Sequence, residues 1–331
     1  MLKNLYSLFI KDFQLMAAGR FFPVALGSLL FYTLFINLVY VRYVNDELYN
    51  IYLYDPEGIH KEVSGLILPV ASPDELDAAL FADTNGVGID VSSGRPEIIL
   101  YTGSEKADNH RADYALSLLC PDGGYAARCI GVNTKEQKQR KEISCELLFI
   151  EITAVGFLGI ASVLFKEKQM GVIRIHAVLP LEKSLFLISK IMVFLLSDLL
   201  FAILMLALNV GVPDTVSILP AVLVQTGILS VIMALTGFGC AMLLSDFRQF
   251  SLAYLVIAVF ALTPVFLSAN TSVKMAWINW HPFYRVYMGL KNAFFGTAAA
   301  EPAYYICCVC GIAALFLTVQ FAFRKEAGKE G

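Results

Sequence analysis

Apolar residues run through this chain in long blocks, with the polar residues gathered between them. Six blocks approach the roughly 20 residues a helix needs to cross a bilayer: Phe21–Val41, Cys145–Phe165, Leu185–Leu208, Ile218–Leu244, Phe250–Leu267 and Ala303–Phe323. The fourth is long enough to tilt or bend. Ahead of the first block, residues 1–20 place Leu2, Leu5, Phe9, Phe13 and Met16 at helical spacing, with Lys3, Lys11 and Asp12 interleaved. That is the pattern of an interfacial helix; the plainer alternative is an extension of the first span. The first block is too long for a signal-peptide core, and Arg42, Tyr43, Val44 and Asn45 offer no small-residue cleavage site after it. It is read as a retained span, 21–41.

Residues 42–144 break the pattern and carry the charge density of a folded polar domain rather than a loop. Ile51–Tyr54, Leu66–Val70, Val87–Val91 and Ile98–Tyr101 are short, apolar and bounded by Gly, Pro or Asp, which predicts strands. Ser72-Pro73-Asp74-Glu75 predicts a helix start, with Ser as cap, Pro at the first helical position and Glu completing a capping box; the helix runs to about Ala82. A second helix is expected over Glu105–Leu119, and a charged stretch, Lys135–Glu142, leads into the second span. The expected fold is an α-helical polytopic membrane protein of six spans, with a small α/β extracytoplasmic domain between the first and second. That domain holds seventeen acids against ten bases, a net charge of minus seven. Its acidity reads first as a solvated surface and second as attraction for a cationic substrate.

The composition agrees with a membrane class: 331 residues, 57% hydrophobic and 16% charged, with a mean hydropathy of +0.66. Basic residues near span ends resist translocation and so mark the cytoplasmic side. Lys3, Lys11 and Arg20, then Lys166, Lys168, Arg174, Lys183 and Lys190, then Arg324, Lys325 and Lys329 all fall on one side if the spans alternate. The expectation is a multi-pass protein of the cell membrane with both termini cytoplasmic, the tail being 324–331. Lys274, Arg285 and Lys291, in the outer segment before the last span, run against the rule.

Several chemistries are excluded or left open. A phosphate-binding loop needs Gly-x-x-x-x-Gly-Lys-Ser/Thr, and the only Gly-Lys pair is Gly328-Lys329 near the end of the chain, so this polypeptide does not hydrolyse ATP by that route. No His-Glu-x-x-His occurs, and the seven cysteines fit no zinc spacing, so no metal site, catalytic residue or resident cofactor is expected. Nothing points to a nucleic-acid partner. Cys120 and Cys129 lie in the outer domain, either as a disulfide or as two free thiols. Asp198, near the middle of a span, is expected to face the bundle interior; it either lines a substrate or proton path or hydrogen-bonds neighbouring spans. Glu151 is a second such acid, read as nearer the outer end of its span. Trp277, Trp280, Tyr284 and Tyr287 read as an interfacial aromatic belt, and Gly156, Gly159, Gly237 and Gly239 as sites of close helix approach that dimerisation could use.

The connection after the second span runs Phe165-Lys-Glu-Lys-Gln-Met-Gly-Val-Ile-Arg-Ile-His-Ala-Val-Leu-Pro180, and Lys190 follows at the start of the next span. With its charged segment at Glu167 and its Gly171, this connection resembles the type-2 family of ABC transporter permeases, in which the region forms a short helix that docks on the ATP-binding subunit. A second stretch, Trp277-Ile-Asn-Trp-His-Pro282 through Gly296, resembles the family's outer re-entrant hairpin, with His281-Pro282 where Asn-Pro is commoner. The resemblance implies a transport subunit paired with a second permease copy and a cytoplasmic ABC ATPase that carries the ATP and Mg. It further implies an ATPase-coupling connection over 166–184, using Lys166, Glu167, Gly171, Ile173, Arg174 and Pro180, and an outer hairpin over 268–300 turning at Trp280, His281 and Pro282. Its spans 145–323 would export an amphipathic or drug-like substrate. The rival expectation is a membrane receptor or envelope scaffold whose outer domain binds a ligand without transport.

Overall fold

The computed structural model describes residues 2–41, 50–58, 67–82, 86–93, 96–100, 105–119, 135–173, 175, 183–270, 276–296 and 301–329. The chain forms two compact units, Val44–Val132 and the remainder.

The smaller unit has the predicted elements within a residue or so: β1 (Ile51–Tyr54), β2 (Ile67–Pro69), α3 (Pro73–Ala82), β3 (Val87–Asp90), β4 (Glu97–Ile99) and α4 (Glu105–Leu119). The strands order as β2-β1-β3-β4. β1 runs parallel to β2 and β3, with Ile51 opposite Ile67 and Val87, and β4 closes the edge antiparallel to β3. Period-two alternation puts Ile51, Leu53, Val87 and Ile89 on one buried face, where they pack with Ala115 and Leu119 of α4. Gly88 faces the other way, and Leu76 and Leu80 of α3 lie 3.2 and 2.9 Å from where its Cβ would be. The sheet is therefore covered by one helix on each face. The cap forms at α3 in a variant of the box: Glu75 N–H donates to Ser72 Oγ (3.1 Å), and the Glu75 carboxylate accepts from the N–H of Ala71, the residue before the cap (2.7 Å). Cys120 and Cys129 lie outside the described residues.

The larger unit is helical: α1 (Leu2–Ala18), α2 (Phe21–Phe35) continued by a π-turn (Ile36–Tyr40), α5 (Lys135–Glu151), a second π-turn (Ile152–Gly156), α6 (Phe157–Gln169), α7 (Lys183–Asn209), α8 (Val212–Leu243), α9 (Phe247–Asn270), a 3-10 turn (Ala276–Trp280), α10 (Pro282–Phe295) and α11 (Pro302–Lys329). Among the described residues five helices are long and apolar enough to cross a membrane: Phe21–Tyr40, Glu136–Gln169, Lys183–Asn209, Val212–Leu243 and Pro302–Glu326. The apolar part of α9, Phe247–Thr263, is shorter. This is a helical membrane protein. Val24, Leu30, Phe31 and Leu38 on the first span, Leu255 and Val256 on α9, and Ile306 and Phe321 on α11 are all exposed, as surfaces solvated by lipid should be.

Leu8, Asp12 and Met16 are buried at four-residue spacing on α1, which packs against α7, while Tyr6, Ile10 and Phe13 stay exposed. The second predicted span differs from expectation. The charged stretch Lys135–Glu142 does not lead into the helix but is its first turns, and α5, the π-turn and α6 run on as one rod of 34 residues, Glu136–Gln169. Arg140 makes this possible at the buried side: its Nη1 donates to Asn37 Oδ1 (2.8 Å) and to the Asn209 carbonyl (3.2 Å) at the end of α7, where a cation suits the helix dipole. Close helix approach is used within the chain. A Cβ on Gly237 of α8 would meet Ile160 Cγ2 at 2.7 Å and the Phe157 carbonyl at 2.8 Å on α6, and one on Gly159 would meet Phe194 at 2.6 Å. Gly159 and Gly237 thus bring helices of one chain together.

Candidate functional site

Three places in the helical unit bring chemistry-bearing residues together. The first lies where α1, α6 and α7 meet. Asp12 accepts from Ser189 Oγ (2.6 Å) and from Lys190 Nζ (3.0 Å). Lys190 Nζ also sits 2.8 Å from Glu167 Oε2, and Lys11 Nζ is 3.6 Å from Glu167 Oε1. Lys190 and Glu167 are each 1% exposed. Glu167 is held by charge alone, since neither of its oxygens has a well-directed hydrogen bond. Taking three charges out of water is costly, and mutual pairing offsets the cost only while all three remain. The next residue after Glu167, Lys168, donates to the carbonyls of Met242 (3.4 Å) and Leu244 (3.2 Å) at the end of α8 and lies 3.5 Å from Glu326 of α11.

The connection 166–184 is thus clamped at its first turn to α1, α7, α8 and α11. Lys166 is exposed, Gly171 takes a left-handed φ of +71° that ends the helix, and Ile175 is 57% exposed. Glu167 and Ile173 are both buried within this chain. Arg174 and Pro180 lie outside the described residues.

The second place is the buried acids. Glu151 accepts from Ser28 Oγ (2.6 Å) and Tyr32 Oη (2.8 Å) of α2. Asp198 accepts from Ser230 Oγ of α8 (2.6 Å). The two acids bracket the second π-turn: Glu151 precedes it, and Asp198 Oδ2 lies 3.6 Å from where a Cβ on Gly156, its last residue, would be. Among the described residues no Lys, Arg or His pairs with either acid. Asp198 faces the bundle interior as expected. Glu151 falls mid-rod rather than near an end, because the helix starts at Lys135. Inserted π-turns open the backbone ladder and recur at functional positions.

The third is the hairpin before α11. Pro282 occupies the first turn of α10, where its missing N–H costs nothing. Trp280 is 82% exposed, whereas the His281 ring is buried 4.3 Å from that of Phe260 on α9. Tyr287 is not in an exposed aromatic belt: it is 1% exposed, stacked edge-on to Phe149 at 5.5 Å. Trp277 and Trp280 are both exposed. Gly289 lets α10 approach the Tyr304 hydroxyl, which donates to Gln225 Oε1 (2.7 Å). Between α8, α9, α10 and α11 a groove of about 560 Å³ opens, lined mostly by apolar side chains and by Arg285.

Among the described residues no three His, Cys, Asp or Glu side chains gather as a metal site. Compared with protein-family models and with curated proteins, the chain gives no match. The sequence pattern had marked Lys190 and Glu167 separately but neither their direct pairing nor the Asp12 carboxylate that shares Lys190 with Glu167. The available signal was an acid sitting four residues from Leu8 and from Met16 on an otherwise apolar stripe.

Proposed function

We propose that this chain is the membrane-spanning permease subunit of an ATP-driven exporter of the ABC type-2 kind, working with a separate cytoplasmic ATPase and a second permease copy. The observation that carries the reading is the clamp at the connection 166–184: buried charges tie its first turn to four helices, so a push there by a partner reaches α1, α7, α8 and α11 together. An ordinary surface loop needs no such tie.

In this reading the spans number six. α9 is the fifth, since its first turn stacks on Phe165 at the connection (Phe165 to Phe247, 5.8 Å) and its Phe260 reaches His281 in the hairpin. The clamped end, with its basic residues, is cytoplasmic together with α1 and the end of α11; Val44–Val132 is then extracytoplasmic, and the hairpin is outer and re-entrant. ATP binding and hydrolysis on the partner subunit shift the connection, and the spans open a path for an amphipathic substrate. No residue of this chain does covalent chemistry.

The test is purification of tagged protein from its native membrane in mild detergent. A Walker-motif ATPase recovered in stoichiometric amount, with ATP hydrolysis by the complex, is the expected result. Its reproducible absence from a folded sample would overturn the reading in favour of a receptor or scaffold.

A further inference from the structure

The groove between α8, α9, α10 and α11 combines three features that the transport reading does not use. Its wall is apolar, formed by side chains such as Ile232, Ile257, Phe260, Val286 and Leu315, and its volume of about 560 Å³ is that of a site for a small organic ligand. The helices flanking it turn apolar, exposed residues outward, among them Val256 and Val259 on α9 and Ile306 and Val309 on α11. The medium at its mouth is therefore hydrocarbon, and its occupant comes from the bilayer. Finally, Arg285 stands at the groove with its orientation fixed: Nε donates to the Asn279 carbonyl (2.9 Å), and the guanidinium carbon lies 6.0 Å from the centre of the Trp280 ring.

Arg285 has no carboxylate partner among the described residues. An unneutralised cation beside hydrocarbon is costly unless something anionic meets it. The guanidinium fork matches the oxygens of a phosphate, and an exposed Trp marks the depth at which headgroups begin. A second groove in the same unit serves as a comparison. It measures about 530 Å³, lies between α7, α8 and α11, and is lined by Ile188, Met192, Leu235, Ala313 and other apolar residues with no charged group. That one is an ordinary lipid-facing valley; the first has a headgroup anchor.

We propose that the groove between α8, α9, α10 and α11 binds one acyl chain of an anionic phospholipid whose phosphate is held by Arg285. The site needs only insertion in a membrane and does not depend on the chain being a transporter. Gly311, on the groove wall, offers a way to fill it, since a Cβ there meets no atom within 4 Å.

The experiment is native mass spectrometry of the full-length purified protein, delipidated and titrated with phosphatidylglycerol or with phosphatidylcholine of the same acyl chains. Wild-type protein is expected to retain one phosphatidylglycerol in preference to phosphatidylcholine. Arg285→Gln should lower phosphatidylglycerol binding about tenfold, to the phosphatidylcholine level, the loss expected for a charge-assisted contact. Arg285→Lys should fall between, and Gly311→Phe should reduce binding of both lipids. Ala313→Phe, in the comparison groove, should leave the preference intact. Equal binding of phosphatidylglycerol by wild type and Arg285→Gln would overturn the proposal. So would a Gly311→Phe variant that changes oligomeric mass and leaves lipid retention unaltered, because a second copy of the chain would then cover the groove.

Discussion

Asp12 and Glu167 share a buried lysine, whereas Glu151 and Asp198, elsewhere in the same helical unit, are held by hydroxyl groups alone. The two arrangements bury comparable carboxylates, each under a tenth exposed, but distribute the cost differently. In the first, charge is matched by charge, and removing any one member leaves the others stranded in a medium that solvates ions poorly. In the second, each acid has directed donors on neighbouring helices, so a neutral amide of the same shape can take its place and keep the hydrogen bonds. The first arrangement is built to stay fixed and the second to tolerate a change of charge. In the exporter reading, that makes the Asp12 cluster the rigid joint between connection and spans, and it leaves the acids at the π-turn as groups a substrate or proton can address.

The contrast can be broken by substitution, and the largest effect belongs to its centre. Lys190→Met should cost about 3–5 kcal/mol by stranding two carboxylates, seen as a large drop in apparent Tm and in monodisperse yield. Combining it with Asp12→Asn and Glu167→Gln should recover most of the loss; no recovery would mean that Lys190 acts through packing on Phe186, whose ring centre is 4.6 Å from its Nζ. Removing both donors of Glu151 together, Ser28→Ala with Tyr32→Phe, should cost about 1–3 kcal/mol for an unsatisfied buried acceptor. Asp198→Asn should change stability by less than about 1 kcal/mol, because the Ser230 bond survives; a loss as large as that of Lys190→Met would erase the distinction between the two arrangements. Lys11→Gln should cost least, about 0.5 kcal/mol, since its side chain is 40% exposed and its pair with Glu167 is long at 3.6 Å. Thermal denaturation of these five variants in one detergent would rank them.

How much of this was legible in the sequence follows from the range of each interaction. Strands β1 to β4 and the cap at Ser72 depend on residues within a few positions of one another, and all appear where the short apolar runs bounded by turn residues and the capping pattern placed them, to within two residues. The long helices are legible from length and hydropathy alone. The start of α5 was not, because Lys135–Glu142 looks like a polar linker until Arg140 is seen to bond Asn37 and the end of α7. The Asp12 cluster spans 177 and 178 positions of sequence in its two hydrogen bonds, which no local pattern reports. The mid-rod position of Glu151 was hidden for the same reason as the start of α5, and the π-turns, which add one residue to a helical turn, disappear within an apolar run. Tyr287 was misassigned for a related reason: aromatic composition marks an interface, but α10 turns that residue inward against Phe149.

The central claim is that a cytoplasmic ATPase engages the connection 166–184. A photo-crosslinking amino acid placed at exposed Ile175, and as a control at exposed Val212 at the start of α8, tests it in intact cells. The account expects Ile175 to crosslink to a Walker-motif ATPase and Val212 not to. Capture of no ATPase from Ile175 or from Lys166, in a protein shown to be folded and inserted, would contradict it.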